Sequence, residues 1–399
     1  MTSPTTARLG DLTEPVVSWN PTRSPDEQFD YIDLSSVDQS SKLVSGATRL
    51  LARDAPSRAR QLVSPGDVLV STVRPNLNGV AVVPETLENA TASTGFTVLR
   101  PGSGLEGRYL FHWVRSPHFI DDMVRSATGA SYPAVSDRIV KASLIPLPPL
   151  DEQRRIAAIL DKADGLRAKR RRALAHLDDL TQSIFLDMFA HSDGTTYQRM
   201  ALPDVYWFQE GPGVRKWQFR TTGIKLLNVS NILRSGHLDL SQTDKFLAPD
   251  ETVSRYSHFL VDEGDLVVAS SGISFDTDGL LRTRGAFVGP QHLPLCMNTS
   301  TIRFKAVSSV STLPFLKTWL QSYEFRSQIS KLVTGTAQQN FGPSHLRSLT
   351  ITLPPHDEQQ RFSDRCLVLD ETRDVHQDQL DKLDSLFASL QSRAFAGEL

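Results

Sequence analysis

IPLPPLDEQRRIAAIL, residues 145–160, recurs later in the chain as ITLPPHDEQQRFSDRC, residues 351–366. In both copies a Pro-Pro pair holds the backbone extended and stops any helix before it. The acidic residues that follow suit a helix N-terminus, because the unpaired N–H groups there carry partial positive charge. The stretch therefore predicts the start of a helix at two places, and its repetition predicts a duplicated module.

A shift of 206 positions, the difference between Leu353 and Leu147, extends this repeat without a gap. The pairs that it superposes are Trp113 with Trp319, Ser116 with Ser322, Phe119 with Phe325, Gly129 with Gly335, and Leu174, Leu177, Leu180, Ile184 and Phe189 with Leu380, Leu383, Leu386, Leu390 and Phe395. Weaker likenesses with changed spacing lie upstream, where YIDLSSV resembles LLNVSNI and PGDVLVS resembles EGDLVVA. The two halves are therefore predicted to share a fold and to differ in their loops.

Each half contains short apolar runs bounded by Gly, Pro, Ser and Asn, a pattern that predicts strands joined by irregular loops with a helix or two. The fold class predicted is mixed α/β (α+β), as two globular domains in tandem that are each followed by a long helix. The predicted boundaries are 1–148 for the first globular domain, 149–191 for the first helix, 192–354 for the second domain and 355–399 for the second helix.

Apolar residues in both helical segments alternate at spacings of three and four, which is typical of a coiled-coil-like stripe. A helix of this length would span about 60 Å, and its best apolar partner is the other helix. Arg170, His376 and Gly165 interrupt the stripe, so the coiled coil is predicted to be imperfect. The residues predicted to pack between the helices are Ile156, Leu166, Leu177, Leu180, Ile184, Phe362, Leu369, Leu383, Leu386 and Leu390.

The composition indicates a soluble, cytoplasmic protein. The chain has 399 residues, a net charge of -2 and no apolar run near the roughly 18 residues of a membrane span. Its start, MTSPTTARLGD, lacks the basic and apolar regions of a signal peptide. Cys296 and Cys366 are too few for a disulfide framework or a paired-cysteine zinc site.

The motifs of common enzymes were not found, so the chain is predicted to be non-catalytic. It lacks a phosphate-binding GxxxxGK[ST] loop, an HExxH helix and a dinucleotide glycine fingerprint. Asn20-Pro21-Thr22 does not complete the Pro-Pro-aromatic motif of adenine methyltransferases, and no Glu-x-Lys strand of a nuclease follows Pro249-Asp250-Glu251. Glu152 and Glu358 are interpreted as favourable charges at helix starts.

The tandem domains, each closed by L-P-P-x-x-E-Q and a long helix, resemble the specificity subunit of type I restriction–modification systems, as does the chain end AFAGEL (394–399). TGTAQQNFG (334–342) is similar to the end of many target-recognition domains, whereas TGASYPAVS (128–136) departs from it. The resemblance covers essentially the whole chain. It implies two target-recognition domains held apart by an antiparallel pair of helices.

The resemblance also implies a function. Each domain would read one half of a bipartite, asymmetric target in double-stranded DNA, and the helices would set the spacer between the half-sites. Two modification subunits would dock on the chain, bind S-adenosylmethionine and methylate adenine N6, and restriction subunits using ATP and Mg²⁺ could join them. No cofactor or metal is expected on this chain itself.

Candidate DNA contacts are the Arg, Lys, Asn, Gln, Ser and Tyr side chains near the ends of predicted elements, since such groups read base edges and phosphates. STVRPNLNG (71–79) and its counterpart ASSGIS (269–274) follow apolar runs directly. For any single residue the alternative is a turn residue or a solvated charge. The candidates are Arg74, Asn76, Asn78, Tyr132, Arg138, Arg215, Lys216, Arg220, Ser271, Arg282, Arg284, Gln338, Gln339 and Asn340.

Other features have more than one interpretation. The run KRRR (169–172) has three interpretations: a charged outer face of the helix, a surface for docking a partner, or a contact with phosphates of the spacer DNA. Trp113 and Trp319 are predicted to be core residues, and Gly129 and Gly335 to serve turn geometry. An assembly scaffold that binds no DNA is the alternative function, and a DNA-binding assay with the modification subunit present separates the two. Methyl transfer by the chain alone would indicate an enzyme.

Overall fold

A computed structural model of the chain describes residues 5–88, 90–129, 131–190, 197–233, 235–272, 274–275, 280–333 and 340–399. Its contacts divide the chain into two compact units. Unit 1 comprises Met1–Arg172 and His376–Leu399, and unit 2 comprises Ala173–Val375. No helix in the described ranges is both long and apolar enough to cross a membrane.

Unit 1 is built from short strands and helices. Its strands are β1 (Thr6–Arg8), β2 (Thr13–Glu14), β3 (Gln28–Ile32), β4 (Val37–Asp38), β5 (Leu43–Val44), β6 (Thr48–Leu51), β7 (Ala59–Leu62), β8 (Val68–Ser71), β9 (Val80–Val82), β10 (Thr91–Ser93), β11 (Phe96–Pro101) and β12 (Leu144–Pro146). Its helices are α1 (Leu9–Leu12), α2 (Gly107–Trp113), α3 (Pro117–Ser126), α4 (Asp137–Ala142) and the start of α5 (Leu150–Phe189). The main sheet is antiparallel with the order β2-β11-β8-β9, and β3 and β10 run parallel inside a second sheet, β6-β3-β10-β7.

Unit 2 repeats this topology. Its strands are β13 (Gln198–Ala201), β14 (Tyr206–Glu210), β15 (Ile224–Leu226), β16 (Phe246–Leu247), β17 (Leu266–Ala269), β18 (Ser274–Phe275), β19 (Leu281–Arg282), β20 (Gly285–Phe287), β21 (Leu295–Cys296), β22 (Thr301–Ala306) and β23 (Thr350–Leu353). Its helices are α6 (Leu202–Val205), α7 (Pro249–Arg255), α8 (Leu313–Trp319), α9 (Tyr323–Leu332), α10 (Pro343–Arg347) and the start of α11 (His356–Ala396). The main sheet has the order β14-β22-β17-β20, and β15 and β21 run parallel in the second. The predicted tandem repeat of a mixed α/β domain with long helices is confirmed.

The repeated Gly-Asp pair before β8 and β17 forms an equivalent turn in both units. Gly66 has a φ of 89°, in the left-handed region that glycine adopts at least cost. The buried carboxylate of Asp67 accepts a hydrogen bond from Arg100 Nε at 2.9 Å. Asp265 accepts from Arg303 Nη1 at 3.4 Å in the same way. In each main sheet an arginine of one central strand is therefore ion-paired with the buried aspartate that precedes the other central strand.

The glutamine of the repeated LPPxDEQ motif is buried in both units and joins each long helix to its own globular domain. Gln153 Oε1 accepts the Glu106 N–H at 2.9 Å, and Gln153 Nε2 donates to Gly104 O at 3.2 Å and Pro148 O at 2.9 Å. The equivalent bonds of Gln359 involve Thr312 N at 3.0 Å, Val310 O at 3.1 Å and Pro354 O at 2.8 Å. Each domain therefore uses the motif to join its long helix to its globular part. The sequence predicted only the helix start and not this connection.

The long helices pair antiparallel within unit 1. Arg155 Nη2 near the start of α5 donates to the backbone oxygen of Leu399 at 2.5 Å. Farther along α5, Arg167 Nε donates to Asp384 Oδ1 at 2.5 Å. Because the residue numbers rise on α5 while they fall on α11, the two segments run in opposite directions.

The same direction of pairing is found within unit 2. Arg373 Nη2 donates to Asp178 Oδ1 at 2.9 Å, and the rings of Phe185 and Phe362 lie 5.6 Å apart. The predicted antiparallel pairing of the helices is therefore confirmed inside each unit.

The ends of both long helices also enter globular cores. Trp113 and Trp319 are only 3% and 1% exposed, which confirms their predicted core role. Near the end of α11, the Phe395 ring lies 5.0 Å from that of Trp113. Near the end of α5, the Phe189 ring lies 5.1 Å from that of Phe315. Each helix stripe therefore has to serve a domain core as well as the other helix.

These two sets of contacts explain why burial differs among the predicted stripe residues. Ile156 and Phe362 are buried; Ile184, Leu390, Leu177, Leu369 and Leu383 are half-buried; and Leu166, Leu180 and Leu386 are exposed. Phe185, Leu380 and Phe387, which were not among the predicted packing residues, are buried instead. Arg170 and His376, the two polar interruptions, contact each other.

Candidate nucleic-acid interface

Three loops of unit 1 meet at the edge of the main sheet where β8 ends and β11 begins. Thr72 donates its N–H to Gly95 O at 2.9 Å, and Thr72 O accepts from the Val135 N–H at 2.9 Å. Ser71 donates its N–H to Gly79 O at 2.8 Å. These backbone bonds hold residues 72–79, 93–95 and the described residues of the third loop, 128–129 and 131–136, together. We call these segments the loop junction of unit 1.

Unit 2 has a loop junction of the same construction, made of residues 270–272, 282–284, 298–300 and 340–342. Ser270 donates its N–H to Ser300 O at 2.9 Å and accepts from the Phe341 N–H at 3.0 Å. Ala269 donates its N–H to Arg284 O at 2.9 Å. The backbone frame is therefore repeated, while the side chains that it carries differ.

An arginine stacked on a tyrosine dominates the junction of unit 1. The guanidinium carbon of Arg74 lies 4.4 Å from the ring centroid of Tyr132, which is 66% exposed. The Arg74 N–H donates to Pro133 O at 2.7 Å. Gly129 has a φ of 99°, and a Cβ there would lie 2.7 Å from Tyr132 O, so its predicted role in turn geometry is confirmed. Gly335 lies outside the described residues.

Other candidate side chains in unit 1 differ in their exposure and in the hydrogen bonds they already make. Asn76 and Arg138 are exposed, and Arg138 lies on α4, which begins directly after the junction. Asn78 is half-buried, with Nδ2 donating to Arg115 O at 3.2 Å and its own backbone oxygen accepting from Lys42 Nζ at 2.5 Å. These bonds favour the alternative interpretation of Asn78 as a turn residue.

Lys42 is a neighbour of the junction that sequence reasoning missed. Burial, together with the charge of Arg115, lowers the pKa of Lys42 to about 8. No spacing or motif connects Lys42 with the loop that it contacts, because the contact arises only from the tertiary fold.

In unit 2 the described candidates at the junction are Ser271, Arg282, Arg284 and Asn340. Asn340 and Arg282 are exposed, whereas Ser271 and Arg284 are half-buried. Gln338 and Gln339 lie outside the described residues. The structure thus brings together candidates from distant parts of the sequence on one sheet edge.

A second cationic segment, residues 215–220, is built around a buried glutamine. Gln218 Oε1 accepts the Arg215 N–H at 2.8 Å, so the loop folds around this side chain. Arg215, Lys216 and Arg220 are exposed, and Trp217 is 69% exposed beside them. An exposed indole among cations suits stacking and phosphate contacts.

A backbone bond places the start of the loop that leads to this segment beside the junction of unit 2. The N–H of Gly211, the residue after β14, donates to Thr301 O at 3.1 Å, where β22 begins. Burial raises the pKa of the Glu210 carboxyl at this sheet edge.

Comparison with known proteins connects this architecture with one family. Residues 62–175 match the family model described as the type I restriction modification DNA specificity domain. The chain is 22% identical over 320 residues to the type I restriction enzyme MjaVIII specificity subunit of Methanocaldococcus jannaschii, an alignment covering 74% of this chain and 71% of the relative.

Two solved structures share the fold along nearly the whole chain. One, described as the structural basis of complex assembly and conformational transition of the type I R-M system, has a TM-score of 0.55 at 23% identity and covers 100% of this chain and 99% of its own. The other is the type I restriction–modification system S subunit from M. genitalium, with a TM-score of 0.54 at 12% identity. The likeness covers 98% of this chain and 96% of that one.

Proposed function

We propose that this chain reads a bipartite, asymmetric DNA target. The premise is its membership of the type I restriction–modification DNA specificity family, which confirms the resemblance predicted from its sequence. Each unit reads one half-site with its loop junction. The observation that carries the proposal is the repeated backbone frame of the junctions. Duplex DNA has local two-fold symmetry, so two similar frames can address two grooves, and different side chains on them select different bases.

The side chains divide by the contacts they suit. Arg74, held against Tyr132, is pre-oriented for the bidentate contact that guanidinium makes with guanine. Arg215, Lys216 and Arg220 are suited to phosphates, which supply affinity without sequence information. The chain itself is non-catalytic in this proposal. S-adenosylmethionine, ATP and Mg²⁺ belong to partner subunits.

The long helices set the distance between the half-sites and dock two modification subunits, with restriction subunits as further partners. An apolar strip on α11 supports docking, since Leu367, Val368 and Val375 are 61%, 61% and 57% exposed. Large side chains of this kind on one helix face mark a protein-binding surface more often than isolated ones do.

Mapping methylated adenines in the host genome tests the proposal. A split motif with a fixed gap, lost when this chain is deleted, is the expected result. Inserting one helical turn into both α5 and α11 should lengthen the gap. A continuous motif, or an assembly with the modification subunits that binds no DNA, would instead favour the scaffold alternative.

A further inference from the structure

Unit 2 contains a cavity of about 100 Å³ where α8 faces the turn before β20 and segments of both long helices. Its lining includes four cationic side chains and two carboxylates. These charged residues are Arg282, Arg284, Lys317, Arg373, Asp178 and Asp370. Arg373 is bonded to both carboxylates, since Nη2 donates to Asp178 at 2.9 Å and Nη1 donates to Asp370. Arg282, Lys317 and Arg373 together carry more charge than these two carboxylates, so the lining keeps positive charge without counting Arg284.

Lys317 lines the cavity within the attraction of the Asp370 and Asp178 charges. Its Nζ lies 5.1 Å from the centroid of the Phe287 ring, and within the described ranges it makes no hydrogen bond or ion pair. Gly236, with a φ of 82°, lets the chain pass close by, because a Cβ there would lie 3.2 Å from Nζ. Burial lowers the pKa of Lys317. An ammonium withdrawn from water without a partner is costly unless an anion joins it.

Unit 1 shows how the equivalent place is filled when no ligand is needed. The shift of 206 positions relates Lys317 to Phe111 and Thr181 to Phe387. In unit 1 the guanidinium carbon of Arg115 lies 4.5 Å from the Phe111 centroid and 5.7 Å from the Phe387 centroid. Aromatic rings and a stacked guanidinium thus occupy the positions that carry Lys317 and Thr181 in unit 2.

The ion pairs of Arg373 are repeated in unit 1, but the pair in which Arg115 donates to Asp164 at 2.8 Å has no counterpart, because the shift of 206 positions relates Arg115 to Gln321 of the cavity lining. Arg167, the counterpart of Arg373, donates to Asp384 at 2.5 Å and to Asp164 at 2.8 Å. The units therefore share the arginine ion pairs between the long helices and differ in the side chains beside them.

We propose that this cavity of unit 2 binds a phosphate group, with Lys317 as its main ligand and Arg282 and Arg284 at the rim. Its volume equals about three water molecules at roughly 30 Å³ each, which suits a small tetrahedral anion. Phosphate oxygens form strong, charge-assisted bonds with ammonium and guanidinium groups. The inference does not depend on the proposed reading of DNA, because free phosphate and a backbone phosphate offer the same chemistry.

Phosphate binding to the full chain tests the site directly. Titration calorimetry with inorganic phosphate, at constant ionic strength in chloride, should show binding by the wild type. Lys317→Met should weaken it by about tenfold to a hundredfold, because a bond to a charged group is lost. Lys331→Met, at an exposed lysine on α9, is the matched control and should bind as the wild type does. No binding by the wild type, or equal binding by Lys317→Met, would overturn the proposal.

Two further variants guard against a folding defect at Lys317. Thr181→Phe introduces the residue found in unit 1 and should fill the cavity and abolish phosphate binding. Arg282→Gln, at an exposed position, should weaken binding while leaving thermal unfolding unchanged. Unchanged phosphate binding in both variants would place the anion elsewhere and refute the site.

The source of the phosphate is distinguished with duplex DNA. If a backbone phosphate enters the cavity, Lys317→Met should reduce the slope of log affinity against log salt by about 1, and phosphate should compete with DNA. If only free phosphate enters, the DNA salt slope of Lys317→Met should equal that of the wild type. Genome methylation mapping tests the DNA-reading function separately. The phosphate site and the DNA-reading function can therefore be refuted independently.

Discussion

The two loop junctions use one backbone frame for different side chains. Thr72 in unit 1 and Ser270 in unit 2 make equivalent bonds to the neighbouring loops. Around that frame, unit 1 displays Arg74 stacked on Tyr132, whereas unit 2 displays the exposed Asn340 and Arg282. A duplicated fold can therefore keep its scaffold through main-chain bonds, which do not depend on side chains, and change its surface freely.

The largest expected effect concerns equivalent core positions on the long helices. Phe362→Ala should lower the free energy of unfolding by about 4 kcal/mol and Ile156→Ala by about 3 kcal/mol, because both are buried and the phenylalanine leaves the larger cavity. Urea unfolding followed by tryptophan fluorescence measures both. Leu367→Ala, at an exposed site on α11, is the control and should cost less than about 0.5 kcal/mol. A comparable loss in that control would contradict the burial argument.

Substitution of the two buried glutamines should show whether both copies of the motif contribute equally to stability. Gln153→Ala and Gln359→Ala should each cost about 3 kcal/mol, at about 1 kcal/mol for each of three hydrogen bonds. The exposed Gln360, bonded only to Asp364 among the described residues, supplies the control Gln360→Ala, which should be nearly neutral. Clearly unequal losses at the two buried positions would mean that the helix starts are not equivalent.

The junctions should differ in which half-site they serve. Arg74→Ala should weaken discrimination at one half-site by about tenfold or more, the value of one bidentate base contact, and leave the other half-site unchanged. Gln339→Ala, predicted from the sequence to act in the second domain, should affect the opposite half-site. Methylation of target libraries by the assembled enzyme measures both, with the exposed Arg53→Ala as control. Equal losses at both half-sites would refute the assignment.

The smallest effect is a pH dependence peculiar to unit 1. The pKa of Lys42 falls from 10.5 to about 8 in the folded state, so between these values the folded chain holds fewer protons than the unfolded chain. The contribution of Lys42 to stability should therefore rise with pH across this window. Relative to Lys42→Met, the wild type should gain in melting temperature between pH 7 and pH 9, whereas Lys169→Met, at an exposed site, should run parallel to the wild type. A constant difference between wild type and Lys42→Met would show that Lys42 does not titrate there.

Sequence periodicity predicted the elements that depend on local order. The Pro-Pro pairs, the apolar spacing and the shift of 206 positions identified both long helices and the repeat. Residue type alone selected Arg74 and Tyr132, but their stacking comes from loops that the fold brings together. The role of Gln153, the contact of Lys42 and the cavity around Lys317 depend on partners distant in sequence, and no local pattern carries that information.

The part of α11 that follows unit 2 completes the core of unit 1. Phe387 and Ala394 lie in the hydrophobic core of unit 1 together with Leu9 and Val68. A ribosome makes this segment after all of unit 2, so unit 1, whose first part is made before unit 2, acquires its full core only after unit 2. Nascent unit 1 must therefore wait, with an apolar face uncovered, while unit 2 is being made. A frameshift between unit 2 and Phe387 would for the same reason damage unit 1 directly.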